Sequence, residues 1–199
     1  MPARLPTEKR QAEIVAAALR LASERSPGQI TTGEIAEAVG VTQGALFKHF
    51  SSKDAIWLAA MCWVHATLLQ AVQEAAEGAA SPRAALEAVF HAHVEFVVAH
   101  PGVPRVIFHE LQQPGDSPAK REVRALLQAY RQLLLALLGA AGAQGQLRAG
   151  LDAEAAATAF LGLLQGLVMQ SMLTGQPAAM RPLAGRVLAL YLRGVGASS

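Results

Sequence analysis

Thr32, Thr42, Gln43, Lys48, His49 and Lys53 fall within one short stretch, residues 31–54, TTGEIAEAVGVTQGALFKHFSSKD. Their side chains suit contact with a nucleic acid: ammonium and imidazole groups meet phosphates, a carboxamide pairs with adenine, and a lysine pairs with guanine. Gly44 and Ala45 are small, which lets the start of a helix sit deep in the major groove while its neighbours reach base edges. Thr32, Thr42, Gln43 and Lys48 are the candidates nearest the bases, and Lys48, His49 and Lys53 those nearest the phosphates. Gln43 paired with adenine and Lys48 with guanine would each give roughly 1–3 kcal/mol of discrimination.

Metal chemistry has less to build on. Cys62 and His65 lie three apart, His93 and His100 two helical turns apart, and His91 and His109 elsewhere. The set lacks the tight spacing of a dedicated zinc site, so core or pocket-lining histidines are the plainer reading and no metal is assigned. Met61, Trp63, Phe90, Phe96, Phe108, Met169 and Met172 are large, adaptable side chains. Ordinary core packing explains each of them singly. Together they could line an apolar pocket, with His93, His109, Glu110 or Gln165 as polar anchors. The candidate ligand-binding set is therefore Met61, Trp63, His93, Phe96, Phe108, His109, Gln165 and Met169. No Ser or Cys has a histidine base in a recognisable motif, and no phosphate loop occurs. An enzyme is not expected, nor is a cofactor.

The nucleic-acid candidates need two helices at a fixed angle, and the local sequence supplies them. Thr31 and Glu34 have capping-box spacing, and Ile35, Ala36 and Val39 form an apolar stripe. Gly40 suits a left-handed turn, and Val41 plugs it. Thr42 caps a second helix, Gln43–His49, whose buried back is Leu46 and Phe50. This is a helix-turn-helix. Ser51 is expected to cap the helix that follows, with Asp54 at the matching position and Lys53 beside a phosphate.

The string T-x-x-E-I-A-x-x-x-G-V-T-x-G-A-L-F-K-H-F-x-S-K-D resembles the DNA-binding signature of the TetR/AcrR transcriptional regulators. That resemblance implies an all-α homodimer with an N-terminal three-helix reader, residues 1–53, and an effector-binding and dimerisation domain, residues 54–199. Phe47 departs from the pattern: many members carry a Tyr there whose hydroxyl touches a phosphate, and a Phe can pack but not donate.

The rest of the chain reads as helices. Pro6–Glu24 carries an apolar stripe with Arg4, Lys9 and Arg10 near its start, and residues 1–5 are either a DNA-touching arm or simply solvated. Helices are expected over Ser52–Gly78, Arg83–His100, Val103–Gln113 and Pro118–Leu138, the last capped by Ser117 or Asp116. A Gly/Ala-rich linker, Gly139–Gly150, leads to Asp152–Thr174 and then Ala178–Gly194, before a frayed Ala197-Ser198-Ser199. Gly162 and Gly166 permit close helix approach, which core packing within one subunit explains about as well. With Leu163, Leu167, Leu183, Val187, Leu190 and Tyr191 they point to a four-helix interface between two copies.

Hydrophobic residues make up 52% and charged residues 16%, with a net charge of +2; the mean hydropathy is +0.28 and the pI about 9.0. Any DNA affinity must therefore come from local clustering. One cysteine rules out an internal disulfide and suits a cytoplasmic protein. The N-terminus lacks a secretory h-region, and Phe160–Leu173 reads as too short to span a bilayer, so no membrane is expected. The leading reading is a ligand-responsive regulator, a repressor binding a palindromic operator as a dimer and released by a small, largely apolar effector. The alternative is a dimeric helical small-molecule or metal-binding protein whose DNA reading is weakened or lost.

Overall fold

The computed structural model describes residues 7–197. The expected all-α class holds: among the described residues there is no strand, only an isolated bridge between Leu147 and Gly196. The helices are α1 (Thr7–Glu24), α2 (Thr32–Ala38), α3 (Gln43–Leu46), α4 (Lys53–Glu77), α5 (Pro82–Ala99), α6 (Gly102–Gln112), α7 (Pro118–Ala143), α8 (Ala153–Thr174) and α9 (Met180–Val195). Short 3-10 turns, Pro27–Gln29 and Pro177–Ala179, precede α2 and α9. Arg4, the arm of residues 1–5 and the last two serines lie outside the described residues.

Three local expectations change. The recognition segment is an α-helix only through Leu46. Beyond it Lys48 N–H donates to Ala45 O and His49 N–H to Leu46 O, the tighter bonds that end many helices. Phe50 still turns inward beside Leu46, and both are buried. The cap of α4 is Ser52 and not Ser51: the helix starts at Lys53, so Ser52 holds the capping position, and its hydroxyl accepts from Ala55 N–H at 3.1 Å. The segment Gly139–Gly150 is not all linker. α7 runs on to Ala143 because Leu134, Leu138 and Ala141 continue its buried stripe. It ends at Gly145, φ +68°, with Gln146 N–H bonded to Ala141 O and Gly145 N–H to Gly142 O. That pair of bonds is a Schellman cap.

Chain contacts divide the molecule into two compact units. One holds the residues up to Ala66 together with His100–Ala125; the other holds Thr67–Ala99 together with Leu126 onward. The first unit is α1, α2, α3, the start of α4, α6 and the start of α7. Ile14, Ile30, Ile35, Leu46, Ile56, Trp57 and Met61 are among its largest buried side chains. α6 lies so close on α1 that a Cβ added at Gly102 would come within 1.9 Å of Leu19 O. In the second unit, Phe90 meets Phe160 edge-on at 5.2 Å, and Phe160 meets Tyr191 at 5.5 Å. These rings join α5, α8 and α9.

Part of the surface assigned to a dimer is spent inside this unit: Leu167 and Tyr191 are buried, and the Tyr191 hydroxyl donates to Ala156 O at 3.0 Å. Leu163, Leu183 and Val187 are half-buried. Leu190 is 65% exposed and Leu173 80%. α4, α7 and α8 are each long and apolar enough to cross a membrane by length and composition. The expectation from Phe160–Leu173 alone therefore underestimates α8, which adds an alanine-rich first half to that run.

Candidate nucleic-acid interface

The reader is built by reciprocal capping. Thr31 Oγ1 accepts from Glu34 N–H at 3.2 Å, and the Glu34 carboxylate accepts from Thr31 N–H at 2.8 Å. Arg25 adds an ion pair to Glu34 at 2.6 Å. The backbone bond from Thr31, then Arg25 and the Thr31 hydroxyl, hold the Glu34 carboxyl down at about 2. Gly40 takes the left-handed conformation, φ +69°, that the turn requires. Thr42 Oγ1 then accepts from Ala45 N–H at 3.2 Å and starts α3.

The candidate residues fall on this scaffold as follows. Thr42, Gln43, Gly44, Phe47 and Lys48 are exposed, and Thr32, Ala45, His49 and Lys53 are half-buried. Gln43 Nε2 donates to Thr32 Oγ1 at 2.7 Å, so two candidate base readers form one polar unit across the turn. A Cβ at Gly44 would meet nothing within 4 Å, so packing within the chain does not require glycine there. Phe47 presents a ring that is 44% exposed. The Lys48 ammonium makes no hydrogen bond or ion pair among the described residues, and its backbone N–H bonds Ala45 O.

His49 and Lys53 are engaged within the protein. His49 O accepts from Gln11 Nε2 at 3.1 Å, and His49 Nδ1 is buried without a partner among the described residues. Lys53 Nζ donates to Gly28 O at 3.1 Å and to Ile30 O at 3.0 Å, leaving one of its three protons for another acceptor. Sequence reasoning did not find Gln11 or these carbonyls, because the contacts join segments more than 20 residues apart.

The candidate ligand residues divide between the units. Met61, Trp63, Phe108 and His109 belong to the first; His93, Phe96, Gln165 and Met169 belong to the second. Met61 and Phe96 are buried, and Met169 is exposed. Gln165 lines an outward groove of about 370 Å³ with Leu127, Gln128, Arg131, Thr158 and Leu161. His93 stacks on Tyr130, with Nδ1 3.3 Å from the phenol oxygen, and burial pushes its pKa down to about 4. Trp63 meets His100 edge-on at 5.0 Å, and His109 packs on Gly28. His65 faces Glu122 at 2.5 Å. Desolvation and the Glu122 charge push the Cys62 thiol up. Among the described residues no group of three His, Cys, Asp or Glu is placed to hold a metal ion.

Residues 14–60 match the model of the bacterial regulatory proteins, tetR family, and residues 112–185 match a tetracyclin repressor-like C-terminal domain. The HTH-type transcriptional regulator TtgR of Pseudomonas putida is 30% identical over 174 residues, which cover 83% of this chain and 81% of TtgR. The nucleoid occlusion factor SlmA of Haemophilus ducreyi is 30% identical over 107 residues, 54% of this chain. That match spans only about half of SlmA's length, 53%. Among solved structures, FadR of Bacillus subtilis, in complex with stearoyl-CoA, superposes with a TM-score of 0.80 at 21% identity, covering 92% of this chain and 98% of FadR. AibR, in complex with isovaleryl coenzyme A and operator DNA, gives 0.69 at 22% identity, covering 80% and 86%. At those identities the two structures speak for the fold.

Proposed function

The chain belongs to the tetR family of bacterial regulatory proteins, and we propose on that footing that it is a repressor that binds a palindromic operator as a dimer. At the level of the family it is a DNA-binding transcriptional regulator rather than an enzyme. Residues 1–53 serve as the reader and residues 54–199 hold the effector and the second copy. The observation that carries the reading is the Gln43–Thr32 bond, set on two capped helices beside a free Lys48 and an open Gly44. It presents donors and acceptors at one exposed point with no bulk in front of them, as approach to base edges requires.

Geometry supports two copies. A segment as short as α3 reads only a few base pairs, and two of them on a dyad read half-sites about one helical turn (~34 Å) apart. Gly162, Gln165, Met169 and Leu173 recur at helical spacing on the open side of α8. A Cβ at Gly162 or Gly166 would meet nothing within 4 Å, so both glycines leave room for a neighbouring helix. The apolar lengths of α4, α7 and α8 then serve the core and the second copy, in a cytoplasmic protein with no membrane partner.

The effector is small and largely apolar. The desolvated His93–Tyr130 pair, a polar anchor in an apolar setting, supports this class; structural neighbours crystallised with stearoyl-CoA and isovaleryl coenzyme A share with it only an apolar acyl chain, there carried on a large phosphorylated group. It must bind the non-DNA form more tightly, by a typical ~1–3 kcal/mol, to release the operator. The test is a salt-titrated binding assay on the DNA upstream of the protein's own gene. Sequence-preferring binding by a dimer, weakened by an effector, is the expected result. A folded dimer that binds no DNA even at low salt would overturn the reading.

A further inference from the structure

The first unit contains a cleft of about 470 Å³ where the start of α4, the end of α6 and the start of α7 meet. That volume lies in the range of small-molecule sites (~300–1,000 Å³). One side is Glu110, only 8% exposed, whose carboxylate accepts from the Ser117 hydroxyl at 3.0 Å. Among the described residues no Lys, Arg or His pairs with it. A carboxylate taken out of water without a cation is costly, and something normally compensates it. Lys53 lines the same cleft, but its ammonium is turned to the Gly28 and Ile30 carbonyls. The lining also holds Asp54, a second acid, and the His109 imidazole, which makes no ion pair with Glu110 among the described residues. The apolar part of the lining is Trp57, Leu58, Pro118 and Ala119.

We propose that this cleft, which takes in His109 and Glu110 of the candidate anchors but not the His93–Tyr130 pair, is a ligand site in its own right and that it takes a small organic monocation with an aryl or alkyl body. The ammonium group neutralises Glu110, and the body lies on the Trp57–Leu58 wall. The buried Trp57 indole N–H, which has no partner among the described residues, gives a local reporter. The site touches Ser52 and Lys53, so an occupant meets the cap of α4 and the lysine that holds the Gly28 turn.

The test needs no DNA, so its outcome is independent of the repressor reading. The full-length ¹⁵N-labelled protein is titrated with 2-phenylethylamine and, separately, with its uncharged counterpart 2-phenylethanol. The two indole N–H signals are assigned through Trp63→Phe. The expected result is a saturable shift of the Trp57 signal with the amine, at least ~10-fold weaker binding of the alcohol, and loss of that preference in Glu110→Gln. The amine-to-alcohol comparison on the unaltered protein stands whether or not the variant folds. No saturable Trp57 shift, equal affinity for both probes, or a preference that survives in a folded Glu110→Gln protein would overturn the proposal.

Discussion

Gln43 Nε2 donates to Thr32 Oγ1 at 2.7 Å, locking the first exposed residue of α3 to the first residue of α2. The bond fixes the direction of the Gln43 amide before DNA arrives, so less rotamer freedom is lost on binding. Gln43→Ala should therefore cost about 1–3 kcal/mol on the preferred operator and little on unrelated DNA. Thr32→Val, which keeps the shape and removes the acceptor, should give a smaller loss in the same direction. Affinities across a panel of single-base operator variants check both; equal losses on every sequence would place Gln43 on the backbone instead.

Lys48 and Lys53 should separate in their salt dependence. The Lys48 side chain is exposed with no partner among the described residues, so Lys48→Ala should flatten the log–log salt slope by about 0.9 per protomer, about 1.8 for the dimer, and leave stability unchanged. Lys53 holds two carbonyls of the Gly28–Ile30 turn. Lys53→Ala should weaken all DNA sequences alike and also lower the melting temperature. Salt-titrated affinities and thermal unfolding of the two variants are the measurement.

The capping box gives a pH signature. The folded-state pKa of Glu34 lies near 2, below its ordinary 4.5. Its contribution to stability is therefore fully present above about 4.5 and is lost as the pH falls toward 2. Acid titration of the unfolding midpoint should show this loss in the native protein and a shallower one in Glu34→Ala. Thr31→Ala, which removes the other half of the box, should cost ~1 kcal/mol at neutral pH.

The two glycines Gly44 and Gly102 make opposite predictions. At Gly102 a methyl group would strike the Leu19 carbonyl at 1.9 Å, and backbone cannot move aside as a side chain can. Gly102→Ala should destabilise by about 1–3 kcal/mol or more. At Gly44 the space is open and the backbone helical, so Gly44→Ala should be neutral or stabilising by ~0.5–1 kcal/mol. It should nevertheless weaken operator binding if α3 lies close against the bases. Unfolding midpoints and operator affinities for both variants decide it.

What was legible in the sequence was what neighbouring residues decide. Thr31, Glu34, Gly40 and Thr42 act within four residues of themselves, and each does what its type and spacing indicate. Errors came where distant packing decides. Ala141 keeps α7 helical past two glycines because its methyl group is buried, which a count of glycines does not show. α6 packs into the first unit, against α1, because Gly102 admits the Leu19 carbonyl, a contact across more than 80 residues. The division of the ligand candidates between the units has the same origin: large apolar residues announce burial, but not which core they enter.

Leu173 and Leu190 test the second copy. A leucine that is 80% or 65% exposed leaves apolar area in water that a partner helix would cover, at roughly 25 cal/mol per Å². Gly162 and Gly166 leave α8 without side-chain bulk, as a close helix–helix contact requires. A charge placed on such a face is desolvated without a partner when two copies meet, and the same side chain in the monomer stays in water. Leu190→Glu should therefore leave the helical content and unfolding of the protomer nearly unchanged but shift the protein from dimer to monomer in light scattering. Operator affinity should fall with it, because a monomer holds a single half-site and forfeits the effective concentration that the second reader supplies. A Leu190→Glu protein that remains dimeric, with unaltered operator binding, would place the dyad on another face.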